Sequence, residues 1–339
     1  MTGGTRAKTG AETKTGAETK TGGEMKTGAP RAVVCGYGEI ATIGLQCLRE
    51  AGYDMPLFVT HEDTPGETIW WEPPASWARS RGVTVATPGD VNRPGEVERI
   101  RALEPDFLFS LYYRSMIGPE LLGVPRRGAL NLHGSLLPRY RGRAPINWVL
   151  VNGETATGVT LHYMDTKPDH GDIVLQREVA IEPRDTGETL FRKIATQARL
   201  LLREALPLLA RGAAARRPQD HAQASYFGRR RPEDGQIDWS WPAPKVYNLI
   251  RAVTRPFPGA FTMLGGRRLY LWWGVPEERR AGEAGAAAGT ILGPRAEGVA
   301  VAAGSGAVVV MKAQLEGQDE ITGGPGLGAL LPQGVRLPS

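Results

Sequence analysis

The stretch Ala129-Leu130-Asn131-Leu132-His133-Gly134-Ser135-Leu136-Leu137-Pro138 decides how this chain folds and where its chemistry lies. Residues 129–132 form a mainly apolar run that is typical of a buried strand, and Gly134 allows the backbone to turn after it. Asn131 and His133 are two positions apart, so their side chains leave an extended chain on the same face. The sequence therefore predicts an amide and an imidazole side by side where a strand ends.

On the N-terminal side of this strand, short apolar runs alternate with helical patterns. The predicted strands are 32–35, 57–59, 83–85, 107–109 and 129–132, and the predicted helices lie near 40–48, 75–81, 94–103 and 119–122. Such alternation predicts an α/β fold with a doubly wound, mostly parallel sheet. Residues 158–163 and 173–179 predict two further strands as an antiparallel extension, and 189–211 predicts a long helix with Pro207 near its end.

The remaining segments divide the chain into parts. Residues 1–30 carry the hexapeptide TGAETK at 9–14 and 15–20, which has no apolar face and predicts a disordered tail. We expect a catalytic α/β domain over 31–215 and a smaller β-barrel, OB-like domain over 225–325, because short strands and Gly-rich turns dominate there. A small, basic linker separates the two, and 326–339 is expected to be a second tail.

Composition excludes some classes of protein. The net charge is +5 and 41% of residues are hydrophobic, so the chain is expected to be globular. No apolar run reaches the length of a membrane span, and the N-terminus lacks an apolar leader, so a cytoplasmic location is expected. Cys35 and Cys47 form no disulfide framework or metal motif.

Asn131 and His133 fall at the carboxyl end of a parallel strand, where open α/β sheets bind ligands. An amide donor can stabilise a developing oxyanion, and an imidazole can also exchange protons near neutral pH. A carboxylate would complete the set, and two candidates follow in the turn Asp169-His170-Gly171-Asp172. Spacing alone does not choose between Asp169 and Asp172.

A dinucleotide site at Gly36-Tyr37-Gly38 is not expected. The third glycine position of the fingerprint is Ala41, which is tolerated there, but no acidic residue closes the second strand: Val59-Thr60 leads first to His61, with Glu62 and Asp63 behind it.

The run from Asn131 to Gly142, followed by the Asp169–Asp172 turn, resembles the folate-dependent formyltransferase family, which includes methionyl-tRNA formyltransferase and the sugar N-formyltransferases. The resemblance covers about 31–322. It implies that a formyl group passes from 10-formyltetrahydrofolate to an amine without a metal. It also implies that Asn131, His133 and Asp169 are catalytic, with the Asp assisting proton transfer from the amine.

The resemblance further implies a pterin pocket between 113–117 and the 166–172 loop. The folate contacts that it implies are Tyr113, Ser115, Met116, Ile117, Leu136, Asp165, Thr166 and Asp172.

Within the family, the sequence is most similar to the branch, found in bifunctional polymyxin-resistance proteins, that formylates UDP-4-amino-4-deoxy-L-arabinose. The segments 60–67, 112–114 and 141–148 carry this likeness. Guanidinium groups match phosphate oxygens bidentately, so Arg114 and Arg143 are candidate contacts of a diphosphate, and Tyr112 or Trp148 is a candidate flat face for a base or sugar. Surface charge and core packing are the alternatives, and packing is the favoured role of the two aromatic side chains. The implied substrate contacts are Tyr112, Arg114, Ser135, Arg143, Trp148 and Arg230.

The acceptor stays open between this sugar, another amino-sugar nucleotide and methionyl-tRNA. Residues 228–339 hold 13 Lys and Arg against 10 Asp and Glu. The resulting net charge of +3 is small for a surface that binds tRNA. The segment after the second strand is acidic, with Glu62, Asp63, Glu67 and Glu72. Both features favour a small nucleotide sugar over a nucleic acid as partner, although Asp172 is more similar to the tRNA branch. A non-catalytic binding module would not need Asn131, His133 and Asp169 together.

Overall fold

A computed structural model describes residues 28–63, 69 and 71–339. The hexapeptide repeats lie outside these residues. Residues 64–68 and Trp70 also lie outside them. Glu67 and the second half of the 60–67 segment belong to this undescribed stretch.

The N-terminal part of the chain contains a seven-stranded sheet whose order is β3-β2-β1-β4-β5-β7-β8. Neighbouring strands from β3 to β5 are parallel, whereas β7 runs antiparallel to both β5 and β8. The strands of this part, with the short β6 beside the sheet, are β1 Arg31–Gly36, β2 Asp54–Val59, β3 Thr84–Ala86, β4 Phe107–Leu111, β5 Gly128–His133, β6 Arg141–Gly142, β7 Ala156–Tyr163 and β8 Ile173–Ala180.

Helices cover both faces of this sheet, because successive side chains of a strand point to opposite faces. In β1, Val34 packs in the cluster that contains α1 and α6, whereas Val33 packs in the cluster that contains Val97 and Ile100 of α3. The helices are α1 Gly38–Glu50, α2 Pro74–Arg79, α3 Pro94–Arg101, α4 Pro119–Leu122, α5 Pro145–Val151 and α6 Gly187–Ala210. The predicted doubly wound α/β architecture is confirmed.

The long helix α6 begins where Thr186 and Thr189 exchange side-chain and backbone hydrogen bonds in a capping box. Pro207 lies inside its last turn, and the helix continues to Ala210. The proline therefore removes one backbone donor without ending the helix early.

The C-terminal part is built on an antiparallel sheet of order β10-β11-β14-β13-β12, with β15 paired to β14. The prediction of a separate β-rich second domain is confirmed. Its elements, preceded by the short β9 that pairs with β6, are β9 Tyr226–Phe227, α7 Ala243–Val253, β10 Ala260–Leu264, β11 Arg267–Glu277, β12 Ile291–Pro294, β13 Val299–Ala302, β14 Ala307–Leu315, β15 Glu320–Thr322 and α8 Gly324–Leu330.

Residues 326–339 lie against this sheet and do not form a detached tail as expected. Leu327 and Leu337 are buried, and Ser339 accepts a hydrogen bond at Oγ from the Trp239 backbone. The apolar positions of this segment had too short a pattern to reveal their burial.

The two parts of the chain contact each other through α5, α7 and the start of α6. Asn147 donates to the carbonyl of Ala252, and Tyr247 donates to the carbonyl of Pro183. Among the described residues, no helix combines the length and the apolarity that crossing a bilayer requires.

Candidate active site

Three side chains meet where β5 ends. Asn131 and His133 point to the same face of β5, and His162 is the direct partner of Asn131 on β7. Directly opposed residues of an antiparallel pair hold their Cβ atoms about 4.5–5.5 Å apart. The Nδ2 of Asn131 consequently lies 3.2 Å from Nε2 of His162.

Asp169 reaches the same point from the turn between β7 and β8. Its Oδ1 lies 3.1 Å from Nδ2 of Asn131, 3.5 Å from Nδ1 of His133 and 3.4 Å from Nε2 of His162. Its Oδ2 accepts a hydrogen bond of 2.8 Å from the backbone N–H of Gly142. The carboxylate is thus fixed on both oxygens.

The hydrogen bonds of the two imidazoles define which nitrogen carries a proton. Nε2 of His133 lies 2.8 Å from the carbonyl of Tyr140, and Nδ1 of His162 lies 2.8 Å from its neighbouring carbonyl at Tyr163. A carbonyl only accepts, so each of these nitrogens must donate. The other nitrogen of each ring therefore faces Asp169, and it can carry a proton there only when the ring is cationic.

The carboxyl of Asp169 is ionised at neutral pH. Burial disfavours its charge, but His133, His162 and the N–H of Gly142 outweigh burial and hold its pKa well below the usual range. A buried anion with two imidazoles against it can stabilise positive charge on either ring.

These residues form the floor of a cleft with a volume of about 510 Å³, which falls in the usual range for small-molecule sites. Asn131, His133, His162 and Asp169 all line it. Further predicted contact residues that line it are Tyr112, Tyr113, Arg114, Ser115, Met116, Ile117, Arg143 and Asp165.

Other predicted contacts lie away from the cleft lining. Ser135 is buried and donates to the carbonyl of Arg139, and Trp148 packs against Phe227 with Arg230 over its ring. Leu136 packs beneath Gly158 instead of facing the cleft. Thr166 is exposed, and Asp172 lies 4.0 Å from Arg216.

The turn thus separates its two carboxylates. Asp169 has a left-handed backbone with φ of 51°, and this turns its side chain toward β5. Asp172 pairs its backbone carbonyl with the N–H of Tyr163 and faces outward. Sequence spacing could not distinguish them because the difference lies in the path of the turn.

His162 is the residue that the sequence interpretation missed. It lies in the predicted strand 158–163, and it is 1% exposed. The register of β7 against β5 brings it to Asn131, and only that pairing reveals it.

Tyr112 also has an unusual environment. Its φ is 58° and its ring lines the cleft, yet its buried hydroxyl has no hydrogen-bond partner among the described residues. Burial raises the pKa of this hydroxyl above its usual range, so it stays a donor at neutral pH. A buried, unpaired hydroxyl costs free energy unless a ligand satisfies it.

Within the described part of the chain, no group of His, Cys, Asp and Glu has the arrangement that would hold a metal ion.

Two family profiles match this chain. Residues 66–206 match the formyl transferase profile, and residues 230–324 match the profile described as formyl transferase, C-terminal domain. Together the two matches cover more than half of the chain, in the order in which the family arranges them. The chain belongs to the formyl transferase family. It is accordingly an enzyme of the transferase class, and the residues that line the cleft all fall within the N-terminal match except Phe257.

Solved structures share the fold. An N-formyltransferase from Helicobacter canadensis, in complex with folinic acid and dTDP-3-aminofucose, has a TM-score of 0.65 at 17% identity over 83% of this chain and 98% of its own. A sugar N-formyltransferase from Shewanella sp. has a TM-score of 0.59 at 19% identity over 72% and 97%.

HypX from Aquifex aeolicus, in complex with tetrahydrofolic acid, has a TM-score of 0.58 at 19% identity over 89% of this chain and 47% of its own. The chain therefore spans about half of the length of HypX. These likenesses establish the shared fold of the formyl transferase family.

Proposed function

We propose that this enzyme transfers the formyl group of 10-formyltetrahydrofolate to the amine of a nucleotide-linked amino sugar. UDP-4-amino-4-deoxy-L-arabinose is the first acceptor to test, and other amino-sugar nucleotides follow. The observation that carries the proposal is the convergence of Asn131, His133 and Asp169 on the floor of one cleft.

The walls of the cleft suit the flat head of a folate. Met116, Ile117 and Met164 supply apolar surface, while Asp165 supplies a carboxylate at the rim. Hydrogen bonds from His170 and the Lys167 N–H hold the pKa of Asp165 below its usual value despite partial burial. The Helicobacter and Aquifex relatives were crystallised with folates, which supports a folate as the donor here.

Asn131 and His133 would stabilise charge on the formyl oxygen. The amine nitrogen attacks the formyl carbon, the bond from that carbon to N10 of the folate breaks, and N10 gains a proton as the amine loses one. In the structure Nδ2 of Asn131 and Nδ1 of His133 both contact Oδ1 of Asp169 on the floor of the cleft. When the substrates bind, these two groups would turn toward the formyl oxygen as its donors, His133 in its cationic form. Asp169 stabilises the imidazolium, accepts the proton that the amine loses and then passes it on to N10 of the folate, which returns the carboxylate to its ionised form.

The rim of the cleft is basic, which suits a nucleotide diphosphate. Arg114 and Arg143 line it, and Nη2 of Arg143 donates to the carbonyl of Arg114 over 2.7 Å. The guanidinium of Arg114 lies 3.9 Å from the centre of the Tyr37 ring. Guanidinium groups match phosphate oxygens bidentately, so both arginines are proposed diphosphate contacts. The Helicobacter relative was crystallised with a dTDP-linked amino sugar, which supports this class of acceptor.

In this proposal the α/β part, about 31–215, carries donor binding and catalysis. The β part, about 225–325, covers the acceptor side, since Phe257 reaches the cleft lining.

The second candidate is a methionyl-tRNA formyltransferase, and the ion pairs of the β part disfavour it. Arg295 is paired with Glu277 and Glu283, and Arg255 and Lys312 are both paired with Glu320. Cations that are neutralised within the protein contribute less to phosphate binding.

An acceptor panel tests the proposal. The enzyme and 10-formyltetrahydrofolate are incubated in separate reactions with UDP-4-amino-4-deoxy-L-arabinose, with dTDP-3-aminofucose and with charged initiator methionyl-tRNA. Formylated products are identified by mass spectrometry. Formylation of a sugar nucleotide is expected. Formylation of methionyl-tRNA alone would overturn the choice of acceptor, and no formylated product from any amine would overturn the proposal.

A further inference from the structure

Arg141 is a buried cation at the back of the Asp169 turn. It is 1% exposed, and no carboxylate within the described residues lies at ion-pair distance from it. Its guanidinium instead contacts Oε1 of Gln219 from Nη2 at 2.6 Å, the hydroxyl of Tyr226 at 2.6 Å and Nδ1 of His221 at 2.9 Å. A buried charge is tolerated only when hydrogen bonds fix it, so this guanidinium is a rigid anchor.

Gln219 connects that anchor to the turn. Because its Oε1 accepts from Arg141, its Nε2 is directed away from the guanidinium, which has no acceptor to offer it. Nε2 donates to the carbonyl of Asp169 over 2.9 Å and to the carbonyl of Gly171 over 2.7 Å. The side-chain amide of Gln219, which is 6% exposed, thus donates to the backbone of the turn on both sides of residue 170.

The backbone conformation of the turn requires hydrogen bonds of this kind to hold it. Asp169 has a left-handed backbone, which an L residue keeps only when its surroundings hold it there. The carboxylate end is held by the N–H of Gly142, which directly follows Arg141 in β6. Strand β6 therefore holds both ends of Asp169: the side chain directly through Gly142, and the backbone through Arg141 and Gln219.

We propose that Gln219 is a positioning residue that uses the buried Arg141 to hold Asp169 against Asn131 and His133. Its effect on geometry is independent of the reaction. Its effect on turnover rests on the proposed function, because it acts through Asp169. Gln219 lies in the connection between the two parts of the chain, outside both predicted domains.

The Gln219→Glu variant tests whether Gln219 positions the Asp169 turn or only satisfies the buried Arg141. The carboxylate keeps an acceptor for Arg141, so the anchor stays satisfied, but both donors to the turn are lost and the second oxygen faces two carbonyls. We expect kcat to fall by about tenfold to a hundredfold, the range that small displacements of catalytic groups produce. Gln219→Met removes the same donors without adding charge, although it also removes the acceptor of Arg141, and it replaces the first variant if that one does not fold.

The matched control is Gln223→Glu, the same substitution four positions later on an exposed side chain that, among the described residues, donates to Asp220 alone. Its kcat is expected to equal that of the wild type. Equal kcat in Gln219→Glu and Gln219→Met would overturn the proposal.

A second readout does not depend on activity. The chain has only five histidines, so their ring ¹⁵N signals can be assigned by substituting each in turn. In Gln219→Glu, the ring signals of His133 and His162 should move, because Asp169 shifts away from them, while those of His61 stay. If the wild type transfers no formyl group, moved signals still support the positioning role and only the proposed function fails. If the wild type is active and the His133 and His162 signals do not move, the positioning role is refuted and the function stands.

Discussion

Asn131 donates a hydrogen bond from Nδ2 to Oδ1 of Asp169 over 3.1 Å, although 38 positions separate the two residues. One comes from the end of a parallel strand and the other from a turn between antiparallel strands. The bond exists because β7 returns beside β5 and carries the turn back to the strand end. The chemistry of the cleft depends on this one meeting point.

Replacing Asn131 by Ala removes the amide that is proposed to stabilise the formyl oxygen. We expect kcat to fall by about a hundredfold or more, as for the loss of an oxyanion donor. The fold should persist, because Asn131 is only partly buried. Initial rates of formyl transfer, with circular dichroism to verify folding, measure this. Near-normal kcat would remove Asn131 from the site.

Replacing Asp169 by Asn tests the charge of the carboxyl. Because the folded-state pKa is lowered, the ionised carboxyl contributes stability above its unfolded pKa of about 3.9, and this contribution is lost as the pH falls below that value. The wild type should therefore lose more stability than Asp169→Asn between about pH 5 and pH 3. Urea unfolding at a series of pH values measures the difference, and parallel curves would contradict the ion pairing of Asp169.

Replacing Gly142 by Ala tests the second contact of Asp169. Gly142 has a φ of 97°, and a Cβ there would collide with the carbonyl oxygen of Phe227. We expect a loss of at least about 1–2 kcal/mol in the free energy of unfolding, together with lower activity. Gly228→Ala is the matched control, since nothing lies within 4 Å of a Cβ at that position. Equal stability of the two variants would argue against a strained β6.

Replacing Tyr112 by Phe tests whether a substrate satisfies the unpaired hydroxyl. Removal of a buried donor without a partner should leave the melting temperature unchanged or higher. If a substrate accepts the hydrogen bond, KM for the donor or the acceptor should rise by roughly twofold to tenfold. Steady-state kinetics with each substrate varied in turn would identify which one, and unchanged KM values for both would exclude the hydroxyl from binding.

The sequence was sufficient where local rules decide the outcome. The alternation of strands and helices predicted the parallel sheet, and the spacing of Asn131 and His133 predicted their shared face. Both depend on periodicity within one segment.

Features that depend on pairing between distant segments could not be predicted from the residues. His162 joins the site through the register of β7, and Gln219 reaches it from a connection that resembles a plain linker. Asp169 enters the site instead of Asp172 because its own backbone is left-handed. Asp tolerates that conformation, but its presence in a sequence does not predict it.

The most direct test of the central claim is the conversion of 10-formyltetrahydrofolate to tetrahydrofolate with and without UDP-4-amino-4-deoxy-L-arabinose, in the wild type and in Asp169→Asn. We expect turnover that requires the amino sugar in the wild type and is lost in the variant, with one formylated sugar formed for each tetrahydrofolate. Turnover that does not depend on the acceptor, or that persists in Asp169→Asn, would contradict the proposed formyl transfer and the role of Asp169 in it.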